Sequence, residues 1–143
     1  MNSNSIWQPH QPKFSNQLDL KIDDPSLYYC VIYKYIQGHR ELAITVRKHR
    51  DDPEVMFYFV FESVSYFQGP TSWHGIDFEF ADINERKILL QKIFLDIKDN
   101  MLDSFSQRYA LYVIHNPGIT IQILAGNCFT LKSIPASSST SIE

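Results

Sequence analysis

The residues of this chain that could do chemistry gather around one short loop. Gln68-Gly69-Pro70-Thr71-Ser72-Trp73-His74-Gly75 links a long aromatic run, Val55 to Phe67, to the alternating stretch Ile76-Asp77-Phe78-Glu79-Phe80. Trp73 offers a large apolar surface and an indole N–H, the combination that anchors many protein interfaces. His74 could carry a proton, and Gly75 lets the chain return tightly. Trp73, His74 and Gly75, with Tyr66 and Asp77 as neighbours, are therefore the candidate binding residues. The competing expectation is that Trp73 folds back as a lid over an open end of the core.

Other reactive groups are less suggestive. His10, His39, His49, His74 and His115 form no His-x-His, His-x-x-x-His or His-Glu-x-x-His spacing, so no metal site is expected. Asp77 and Glu79 share one face of a strand and could act as an acid–base pair. The outward face of an antiparallel strand is also where carboxylates ordinarily sit, and that reading is preferred. Cys30 and Cys128 lie in apolar runs with no neighbouring histidine, as expected of buried thiols; a disulfide between them requires that their strands pair. There is no Gly-x-Ser-x-Gly elbow and no glycine-rich phosphate loop. No catalytic residue and no cofactor is expected, and the chain reads as non-enzymatic.

Composition narrows the classes further. The chain has 143 residues, 44% of them hydrophobic and 14% aromatic, enough for a single apolar core. Lys and Arg number 13 against 16 Asp and Glu, a net charge of −3, so nucleic acid is not an expected partner. The basic run Arg47-Lys48-His49-Arg50 is followed at once by Asp51-Asp52, as at a charged hairpin tip. No apolar run approaches the roughly 20 residues of a membrane helix, and the first ten residues lack the features of a secretion signal. A soluble, cytoplasmic protein is expected.

The elements that must position the loop are mostly strands. Residues 1–16, rich in Asn, Ser, Gln and Pro, read as a flexible lead-in in which Trp7 and Phe14 pack on the domain edge. Leu18, Leu20 and Ile22 alternate as a short half-buried strand. Leu27 to Ile36 and Leu42 to Val46 form a hairpin about Gln37-Gly38-His39-Arg40. The run from Val55 is apolar on both faces, as in a central, covered strand. Asp82 and Glu85 mark a capped helix whose stripe is Ile83, Leu90, Ile93, Phe94, Ile97 and Met101. Asn116-Pro117-Gly118 turns between two further strands. The predicted fold is α+β: one largely antiparallel sheet against one main amphipathic helix, spanning 17–133, with a disordered tail over 134–143.

The order of these elements resembles the small α+β immunity proteins of bacterial polymorphic toxin systems, in particular one marked by a Trp-x-Gly motif. Here the motif would be Trp73-His74-Gly75, preceded by Ser65-Tyr66-Phe67 and Gly69-Pro70 and followed by the Ala110 to Ala125 hairpin. The likeness spans about Leu27 to Leu131. It implies a non-enzymatic protein that binds and neutralises a partner toxin, with Trp73 and Gly75 as the positions carried over. The alternative from another class is a small-molecule-binding domain or minor hydrolase with a pocket under the Trp73 loop. A third is a homo-oligomer that associates through edge strands.

Overall fold

The computed structural model describes residues 4–134; the expected tail, apart from Ile134, lies outside the described residues. In chain order the elements are β1 (Phe14–Ser15), β2 (Tyr29–Ile36), β3 (Glu41–Arg47), β4 (Phe57–Glu62), β5 (Tyr66–Gln68), β6 (Ser72–His74), β7 (Glu79–Phe80), α1 (Ile83–Ile93), α2 (Asp99–Ser106), β8 (Ala110–Asn116), β9 (Ile119–Ala125) and β10 (Asn127–Leu131). The fold is α+β. Its strands form two sheets, one ordered β1-β10-β4-β3-β2-β6 and the other β5-β9-β8-β7. Pairing is antiparallel except where β1 runs parallel to β10.

Alternation decides which face each strand buries. In the six-stranded sheet Leu42, Ile44, Val46, Phe57, Phe59, Phe61 and Cys128 point inward. They meet Tyr112, Ile114, Ile121 and Ile123 from the four-stranded sheet. The opposite face of that second sheet presents Leu111, Val113 and Leu124 to Leu90 of α1 and Leu102 of α2. β8 is therefore buried on both faces, which its sequence shows as an unbroken apolar run. The chain crosses between sheets at Gly126, where an added Cβ would stand 3.2 Å from the Cβ of Ser63.

Three expectations are corrected. The single sheet is two, because period-2 alternation says which face is buried and not which neighbour buries it. The single helix is two: Asp82 caps α1 by accepting from the Glu85 N–H, at 2.8 Å, but the helix stops at Ile93. The break turns the second segment, so Leu102 and Phe105 pack inward while Met101 (56% exposed) does not; Ile83 (44%), at the start of α1, also lies off the core. Lys87 of α1 and Asp103 of α2 form an ion pair across the two helices.

The third correction concerns the lead-in, which is packed from residue 4 onward. Ile6 is buried, Ser5 bridges to Glu79, and the Trp7 indole donates to the Ile76 carbonyl at 2.8 Å. Trp7 and Phe14 do lie on the core, as expected, both against Phe59. Leu18, Leu20 and Ile22 keep their half-buried alternation and pack on the core, but the segment belongs to no strand.

Candidate interaction surface

The Trp-x-Gly turn is built into the core. β6 pairs with β2 in the register Tyr29–His74, Cys30–Trp73 and Val31–Ser72, so Trp73 sits on the inward face and His74 does not. Trp73 is 3% exposed, and its indole donates to the carbonyl of Gly75 at 2.9 Å. The same carbonyl accepts the Cys30 thiol at 3.5 Å, while the Gly75 N–H donates to the Tyr28 carbonyl at 2.7 Å. Gly75 has φ +127, a backbone state that side chains disfavour. Trp73 is thus packed on the core beneath its own loop, and Thr71 of that loop lines a cleft with Ile32 and Tyr66.

Glycine at 75 also makes room for a carboxylate. A Cβ there would stand 2.9 Å from Asp77 Oδ1, which is buried and accepts no hydrogen bond. Asp77 was expected on an outward face; one of its oxygens lies instead under the turn. A buried acceptor left unsatisfied costs about 1–3 kcal/mol. His74 is exposed and lies against Tyr29, the rings tilted by 53° with centroids 4.9 Å apart, with the Arg50 guanidinium 6.0 Å from the Tyr29 ring.

Tyr66 is elsewhere. It lies on β5, paired with Leu124, and its hydroxyl donates to Gln68 at 2.9 Å. The five candidate residues therefore do not form one site: Trp73 and Gly75 belong to the core, Asp77 lies under the turn, His74 is at the edge of one sheet, and Tyr66 borders the other. Among the described residues, no three or more His, Cys, Asp or Glu side chains gather where they could hold a metal ion.

Cys30 and Cys128 are free and buried. β2 and β10 are separated by β3 and β4, three strand spacings or about 14 Å, well beyond disulfide reach. Burial, with Asp77 second, pushes the Cys30 thiol well above its ordinary pKa. Burial and then Glu62 do the same to Cys128. A folded chain with raised thiol pKa values holds protons that the unfolded chain releases. The stability each thiol contributes is complete below the unfolded pKa, about 8.5, and is lost as pH rises towards the folded value. Urea unfolding from pH 7 to 10 should show stability falling above about pH 8.5, each thiol adding a slope of up to about 1.4 kcal/mol per pH unit. Cys30→Ala should make that slope shallower; an unchanged slope would remove the thiol as its cause.

Sequence reasoning missed the most exposed aromatic residues of the sheet. β2 carries a bulge between Ile32 and Lys34. Past it Tyr35 pairs with Leu42 and takes the inner side, while Tyr33 contacts Tyr58 on the outer side, at 5.5 Å between rings. Tyr33 is 50% and Tyr35 47% exposed. Tyr35 lines a cleft of about 400 Å³ with Ile32, Leu42, Val64, Tyr66 and Phe67. The dense tyrosines of residues 28–35 were a visible signal; the bulge that puts Tyr33 and Tyr35 on opposite faces was not.

Comparison with known protein families, curated proteins and solved structures finds no match. No helix of the described residues is long and apolar enough to cross a membrane.

Proposed function

We propose that this protein is a non-enzymatic, protein-binding module that acts by stoichiometric masking of one partner, as immunity proteins do. The observation that carries the reading is the exposure of one tyrosine on each face of the β2–β3 hairpin. Tyr33 and Tyr35 are half exposed on a strand whose other residues are fixed by pairing with β3. Rigid tyrosines lose little rotamer freedom on binding and are enriched at interface centres, as is arginine, which stands nearby as Arg40. Both helices pack on the four-stranded sheet, which leaves the hairpin outside the helical layer.

The test is capture from a lysate of the source cells on immobilised protein, followed by purification of the captured protein and mass measurement of the mixture. A one-to-one complex that forms from the two purified proteins is the expected result. A folded bait that retains no protein, yet melts higher with a member of a metabolite panel, would overturn it. A ligand at a hundredfold excess over its Kd adds about 2.7 kcal/mol, a shift that thermal melting resolves.

A further inference from the structure

β2 has a pairing partner on one side only for part of its length. On the β6 side the ladder runs from Tyr29 to Val31 and ends with the Ile32 N–H donating to the Thr71 carbonyl at 2.9 Å. The next residue on that side is Pro70, which has no N–H and cannot continue the ladder. Gly69 and Pro70 instead carry the chain across to β5. Tyr35 and Ile36 remain paired with Leu42 and Glu41 of β3, and no described strand lies on their other side; the Ile36 carbonyl is taken by the His39 N–H in the turn, at 3.2 Å, so Tyr35 is the residue whose backbone N–H and C=O face the open side.

That open edge borders the cleft already described. β5 is itself the edge of the second sheet, so Tyr66 and Phe67 stand across the gap from Tyr35. The lining carries no charged residue; of its hydroxyl-bearing residues, Tyr35, Ser65, Tyr66 and Thr71, Ser65 is held by Arg40, whose Nη1 donates to Ser65 Oγ at 3.3 Å. A guanidinium has five donors, and Arg40 takes part in no ion pair among the described residues. Lys34 and Glu41 are on the other face of the sheet, beside Ala43 and Val60. The charge at the mouth of this cleft is therefore positive, and it stands beside an apolar floor.

We infer that the cleft receives an extended segment of the partner protein, which pairs with the free backbone edge of β2 at Tyr35. Alternate side chains of that segment are apolar and seat against Tyr35, Tyr66 and Phe67, and one Asp or Glu meets Arg40. Strand addition of this kind draws affinity from the backbone ladder and selectivity from pockets for every second side chain. The inference rests on the protein-binding reading and supplies its surface.

A phage-displayed library of random ten-residue peptides, selected on the immobilised full chain, tests it. The expected result is enrichment of peptides with apolar residues at alternate positions and at least one acidic residue. The best of them, synthesised, should bind wild type and lose at least tenfold in affinity with Tyr35→Ala and with Arg40→Glu, each compared at a urea concentration well below its own unfolding midpoint, with Tyr35→Phe, which keeps the ring, binding as wild type. Failure to enrich any peptide would overturn the inference, leaving the bulge and Lys34 as devices that merely protect the edge. So would enriched peptides that bind both variants as well as wild type. If the captured partner binds Tyr35→Ala and Arg40→Glu unchanged, the cleft falls while the protein-binding reading stands. Peptide binding with no one-to-one partner would overturn that reading and keep the cleft.

Discussion

Trp73→Ala should destabilise the fold by about 3–5 kcal/mol, the usual cost of truncating a buried tryptophan, and leave the affinity of the folded fraction for a partner unchanged. The side chain is buried on the inward face of β6, opposite Cys30, and its indole N–H is satisfied by Gly75. Alanine would open a cavity and strip one of the two side-chain donors from the Gly75 carbonyl. Domains of this size are stable by about 5–15 kcal/mol, so the variant should unfold at much lower urea while its binding, measured well below that midpoint, stays at the wild-type value. His74→Ala is the control. That side chain is exposed, and its loss should change stability by no more than about 0.5 kcal/mol. The opposite pattern, a stable Trp73→Ala that no longer binds, would return the loop to its role as an interface anchor.

How much of this was legible in the sequence depends on the kind of signal. Turns written in Pro and Gly were readable: Asn116-Pro117-Gly118 does join β8 to β9, and Gln37 to Arg40 does join β2 to β3. So was the Asp82 cap, because a short acceptor before an apolar period has one mechanical use. The helix break after Ile93 was not, since Phe94 to Lys98 contains neither Pro nor Gly. Trp73 looked like a loop residue because Pro70 and Gly75 bracket it; three residues of ladder between them suffice to turn it inward. The cleft was hidden for a related reason. A bulge shifts inside and outside by one residue without altering composition, so Tyr35 could not be assigned to a face in advance.

Phe59→Ala is the second large effect expected, about 3–5 kcal/mol. Phe59 is fully buried, and its ring lies 5.3–6.2 Å, centroid to centroid, from five aromatic neighbours. Those neighbours are Phe57 at 5.3 Å and Phe61 at 6.0 Å on its own strand, Phe78 at 5.6 Å, and Trp7 at 5.9 Å and Phe14 at 6.2 Å from the N-terminal segment. The last two make the variant a probe of that segment. If residues 4–15 are part of the cooperative fold, Trp7→Ala should also be costly, and the double variant should lose less than the sum. Aromatic pairs of this geometry couple by about 0.5–1.5 kcal/mol in such cycles. Urea unfolding of the four proteins supplies the cycle. A coupling near zero, with Trp7→Ala almost neutral, would mean that the strap adds nothing to the core. The indole's bond to Ile76 argues for the larger value: it ties the strap to the residue that follows Gly75, so Trp7, Phe59 and Trp73 belong to one packed unit. Loss of any of the three should then loosen the same transition.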